Sequence, residues 1–289
     1  MRHAEPLAPI KMKRLYIICT IFLLSTFCYG QNTPLALAKT IFARDTFPNL
    51  DKHITGEYNG HPNGTDLPEN VTTDFLLLGQ DEKKAVINIT ITDSAGQAFD
   101  GYLHFVKQDV WKITAFRALA MTGIIAQVKE MFENMTPTQI DSIIVQSKND
   151  STGHAMFRSR EEYEYELGNS RLTLASDQEI INHFKKNEKE FNRIKDEILE
   201  ELQSTTVDSE WSIRVEENHN EAVRRMYISS VSTGGYQFGN CLKFLIGGMV
   251  DNFVGYLFVK DKKDLPDMTP KRIIMIREIG SGWYMYKTT

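Results

Sequence analysis

Ile87, Ile89 and Ile91 alternate with Asn88, Thr90 and Thr92, the period-two pattern of a strand with one buried face and one wet face. Apolar runs at 73–78, 102–107 and 111–116 flank it. The links between them, Ser94-Ala95-Gly96 and residues 107–110, are short enough to require antiparallel pairing. Upstream, Leu35, Ala38, Ile41 and Phe42 recur at helical spacing, and residues 48–70 are rich in Gly, Pro, Asn and Asp. The first half therefore reads as a helix, an irregular loop and a four-strand meander, followed by an apolar helix over 118–132.

Thr136-Pro137-Thr138-Gln139 opens a further helix, with Thr136 as N-cap and Gln139 closing a capping box. From 146 to 175 the chain turns polar. Glu162, Glu164 and Glu166 alternate there with Tyr163, Tyr165 and Leu167, which predicts an exposed edge strand or linker. Ser176-Asp177-Gln178-Glu179 is a second capping box, and Ile180, Ile181, Phe184, Phe191, Ile194, Ile198, Leu199 and Leu202 form one stripe opposite a charged face. Strands are expected after it at 211–215, 224–231, 241–247, 253–260, 272–278 and 283–287, the last two joined at Gly280-Ser281-Gly282. The fold class is α+β with two domains, each of helices packed on a curved antiparallel sheet. The first covers 31–147, a linker 148–175, and the second 176–289. Gly101-Tyr102-Leu103 and Gly255-Tyr256-Leu257 form a short internal echo.

Residues 1–30 are expected to be a signal peptide. Lys11-Met12-Lys13-Arg14 precedes an apolar stretch over 15–27 that is too short to span a bilayer, and Gly30 is a small residue at the cut. The mature chain would be exported, periplasmic or secreted, with no membrane span. The net charge of -5 speaks against a nucleic-acid partner, and removing Arg2, Lys11, Lys13, Arg14 and Glu5 makes the chain more acidic still. Of the 3 cysteines only Cys241 would remain, beside Leu242 and Phe244 as a buried strand cysteine suits. His53, Glu57 and His61 have metal-like spacing, but Gly56, Gly60 and Pro62 break the helix that would gather them. No metal site is predicted. No phosphate-cradling glycine loop is present, and no cofactor is implied.

The meander, with its final strands at 101–107 and 111–115, resembles the nuclear-transport-factor-2-like superfamily over 35–116. The second half resembles exported bacterial proteins at 176–191 and at Gly282-Trp283-Tyr284-Met285-Tyr286. The first resemblance implies a sheet cupped around helices, with a pocket used for catalysis in some members and for binding in others. Catalytic members use a carboxylate base with a Tyr, or a His and Asp pair. The pocket candidates are Asp74, Asp100, Tyr102, His104, Trp111 and Arg117, with no catalytic residue assigned. The expected function is a non-catalytic binding or accessory protein of the bacterial envelope, its partner a small molecule or an envelope protein. The alternatives are an isomerase, dehydratase or hydrolase-like enzyme using the first cup, and an assembly protein pairing through strand edges.

Overall fold

The computed structural model describes residues 33–148, 155–202, 212–215, 217–235 and 237–289. The expected signal peptide lies outside them. Thr33 caps the first helix, its hydroxyl accepting the Ala36 N–H, and Pro34 occupies the first helical position. This helix, α1 (Pro34–Ile41), leads through the irregular loop to β1 (Thr72–Gln80), β2 (Lys84–Thr92), β3 (Ala98–Lys107) and β4 (Trp111–Arg117). The four pair in sequence order, every pair antiparallel.

Alternation along β2 and β3 then decides what each face meets. Ile87 and Ile89 of β2 and Leu103 and Phe105 of β3 lie under α1, packed with Leu37, Ala38, Ile41 and Phe42. The opposite face was expected to be wet. Instead Val86, Asn88, Asp100, Tyr102 and His104 are all buried, because the second half of the chain covers them. Val86 and Tyr102 belong to the same apolar cluster as Ile274 and Ile180 from that half.

Two helices follow, α2 (Thr122–Glu133) and α3 (Pro137–Ser147), the latter started by the Thr136/Gln139 capping box. Within the segment expected as an edge strand or linker, Arg160–Thr173 forms a helix, α4. The Ser159 hydroxyl accepts the Glu162 N–H, and the Glu162 carboxylate accepts the Arg158 N–H, which satisfies two amides at the start. Gly168 faces the Tyr227 ring, where a Cβ would come within 2.2 Å. Asn169 donates to the carbonyls of Tyr227 and Ile246 at 2.8 and 2.6 Å, tying α4 to the second sheet.

The long helix α5 (Asp177–Leu202) begins where Ser176 and Glu179 exchange hydrogen bonds. After it come β5 (Ser212–Arg214), a short helix α6 (Asn220–Arg225), β6 (Ser230–Gly234), β7 (Leu242–Met249), β8 (Asn252–Phe258), β9 (Ile273–Gly280) and β10 (Trp283–Thr288). The strand expected over 224–231 is thus mostly the end of α6 and a turn. The sheet order is β5-β6-β7-β8-β10-β9, again all antiparallel. Ser281 and Gly282, at φ 54° and 81°, form the loop of the last hairpin, where a two-residue connection favours left-handed backbone. The chain is α+β, with helices on two antiparallel sheets. Among the described residues no helix is long and apolar enough to cross a membrane.

The stripe on α5 packs onto the inner face of the second sheet. Phe191 is fully buried, its ring 5.1 Å from Tyr256, 5.6 Å from Phe244 and 5.7 Å from Trp283. Truncating it would leave a cavity in the largest core. Phe191→Ala is expected to cost about 3–5 kcal/mol in urea unfolding. A loss below about 1 kcal/mol would mean that α5 does not organise this sheet.

Candidate functional site

Asn88 and Thr90 on β2 stand opposite Tyr102 and Asp100 on β3, so the pleat places all four on the face that meets the second half. Asp100 Oδ1 accepts from Thr90 Oγ1 at 2.6 Å and from Asn88 Nδ2 at 3.3 Å. Its Oδ2 accepts the backbone N–H of Asp177 at 2.7 Å. A carboxylate from the first sheet therefore caps the first turn of α5, where unpaired amides and the helix dipole favour negative charge. Asp177 is itself buried. Its Oδ1 accepts from the Tyr102 hydroxyl at 2.8 Å and from Lys287 Nζ at 2.7 Å. Burial, then the negative charges of Asp177 and Asp100, push the Tyr102 phenol far above its ordinary pKa, so it remains a donor. Asp177 Oδ2 has no partner among the described residues. A small polar recess of about 270 Å³, bordered by Asp74, Asp100 and Arg277, adjoins this cluster.

His104 lies further along the same face of β3 and is 4 % exposed. Burial, and then the Arg117 charge, lower its pKa to about 4, so its ring is neutral at physiological pH. Arg117, at the end of β4, donates to the Pro270 carbonyl at 2.6 Å and pairs with Glu57. Glu57 is pulled below the usual carboxylate range by that hydrogen bond and charge. Trp111 sits on the other side of the sheet, in the core with Phe105 and Ile113. The candidates therefore do not share a cup. Asp100 and Tyr102 come together, Asp74 borders their recess, His104 and Arg117 join the same interface separately, and Trp111 helps to fill the space under α1. His53, Glu57 and His61 go to three different partners, the Trp111 carbonyl, Arg117 and Asp66.

A larger concavity lies on the outer face of the second sheet, opposite α5. It measures about 640 Å³ and was not foreseen in the sequence. Leu245, Gly255 and Tyr286 are in register across β7, β8 and β10. A Cβ on Gly255 would meet the Phe244 carbonyl at 2.3 Å and the Tyr286 ring at 3.0 Å, so the strands pack closely only because this position has no side chain. Phe253 and Leu245 supply apolar surface over the buried Tyr286, while Ser230, Ser232 and Lys243 supply polar groups. Val250, on the rim, is 73 % exposed and left-handed at φ 60°, an unfavourable conformation for a β-branched residue. The Thr288 hydroxyl donates to the Asp251 carbonyl and accepts the Phe253 N–H at 2.9 Å, holding this turn against β10. The signal in the sequence was the alternation of Lys243 and Leu245 with Leu242, Phe244 and Ile246, which sets a lysine on the face away from the core.

Two outcomes follow from the interface. Lys287→Met leaves the buried Asp177 carboxylate without its cation and should cost about 3–5 kcal/mol in urea unfolding, with part recovered when Asp177→Asn is added. A loss in the double variant equal to the sum of the two single losses would show that the pair is not coupled. His104 binds its proton less readily folded than unfolded, so its contribution is complete above pH 6.5 and is lost as pH falls toward 4. Unfolding free energy should fall over that window by on the order of 3 kcal/mol more than in His104→Leu. Parallel pH profiles would exclude His104 as the source.

No family model, curated protein or solved structure matches this chain.

Proposed function

We propose that the chain is a non-catalytic binding or accessory protein acting through the groove on the outer face of the six-stranded sheet. One observation carries this reading. The space under α1 is filled by the chain's own side chains, with Leu37, Ile41 and Phe42 packed on Phe105, Trp111 and Ile113, whereas the outer groove is open and large enough for a small molecule. The alternative, an enzyme using the first cup, has little support, because Asp100 and Tyr102 are engaged in joining the sheets and Trp111 is a core residue.

A nuclear-transport-factor-2-like ancestry of the first half remains part of the proposal, supported by the helix and four-strand meander over 34–117. In that case the cup of the family has been closed here and its role passed to the second sheet. Export to the envelope rests on the basic and apolar pattern of residues 11–30.

A fragment screen with backbone-amide mapping tests the reading. Hits should perturb residues 230–234, 243–245 and 286–288, and Ser230→Trp, which places an indole at the groove, should abolish them without lowering the melting temperature. Hits mapping to Leu103, Phe105 or Trp111 would overturn it.

A further inference from the structure

The outer groove gathers positive charge in a chain whose net charge is -5. Among the described residues, Arg214, Lys243, Lys271 and Arg272 border it, together with the side-chain carboxylate of Asp251. Three of these cations stand exposed at its margins, but Lys243 lies within the sheet, between Ser232 of β6 and Leu257 of β8. It is half-buried, and burial lowers the pKa of its ammonium. No carboxylate among the described residues pairs with it; the face of the Phe238 ring lies 4.8 Å from its ammonium. A cation–π contact of this kind does not replace all of the hydration that a half-buried ammonium gives up. The remaining demand is for an anion.

We propose that the groove takes a small organic anion, with its carboxylate or phosphate against Lys243 and its apolar portion on Leu245 and Phe253. The inference rests on the binding reading above and adds the ligand class. Ser230 and Ser232, on the same face as Lys243, provide hydroxyl donors that an anionic oxygen can use. Leu245 and Phe253, both partly exposed, give the specificity that charge alone lacks, because an inorganic anion would leave their surface uncovered. Val250 at the rim adds exposed apolar area in a strained turn, an arrangement costly to keep without a use.

Isothermal titration of the full chain with benzoate, phenyl phosphate, benzyl alcohol and benzylamine provides the test. Benzoate and phenyl phosphate should bind at least tenfold more tightly than benzyl alcohol, and benzylamine more weakly than either. Lys243→Met should weaken the anions at least tenfold while the melting temperature stays level or rises, and Lys243→Arg should retain them within a few-fold. If benzyl alcohol matches benzoate, or Lys243→Met keeps anion affinity, the ligand class is wrong while the groove remains a binding site. If none of the four probes binds and the fragment screen yields no hit at the groove, the binding reading falls with it.

Discussion

The two sheets meet on a hydrogen-bonded carboxylate, and their relative placement follows from it. Asp100 reaches from β3 to the first amide of α5, and Asp177 at that position receives Tyr102 from the first sheet and Lys287 from the second. Such a cluster contributes little net free energy, since removing a carboxylate and an ammonium from water consumes most of what their attraction returns. Its contribution is directional. Apolar surfaces slide over one another at small cost, whereas a carboxylate that accepts three donors, two from β2 and one from α5, has one position. On this reading the polar cluster sets the register of the interface and the surrounding apolar side chains, Val86, Ile180 and Ile274, give it strength.

That constraint also distributes the remaining surfaces. Once α5 and the first sheet occupy the inner side of the second sheet, the loops around Phe238 and Leu265 cover part of the outer side. Cys241, Leu257, Val259, Tyr284 and Tyr286 are buried beneath those loops, but the stretch from Ser230 across Lys243 to Phe253 is left open. The thiol of Cys241, pushed up to about 12 chiefly by burial, belongs to the covered part and behaves as a small apolar side chain. The open part is thus a consequence of how the halves join.

Much of this was legible because local chemistry states it. The caps at Thr136 and Ser176, the isoleucine alternation in β2 and the Ser281-Gly282 loop each involve groups within a few residues of one another. The helix over Arg160–Thr173 was misread because Glu alternates with Tyr or Leu over residues 162–167, a period-two signal. The Ser159 and Glu162 capping pattern just before it was the better guide. Asp100 and Tyr102 were recognisable as polar residues on one strand face. Their partners were not, since Asp177 lies 77 and 75 residues away and Lys287 another 110 beyond it. The same separation explains why a polar strand face that looks wet is buried. Nothing local to Asn88 or Thr90 announces that another sheet will cover them.

The charge of the groove has a physical consequence for how it would work. An acidic protein does not draw anions from a distance, because its long-range field opposes them and is screened within about 8 Å at physiological ionic strength. Attraction must then arise inside the groove, where Lys243 is partly desolvated and the effective dielectric is lower than in water. Such a site gains selectivity from contact rather than from steering. Apolar surface on Leu245 and Phe253 beside a short-range cation suits that regime, since a ligand must offer both apolar area and negative charge to be held.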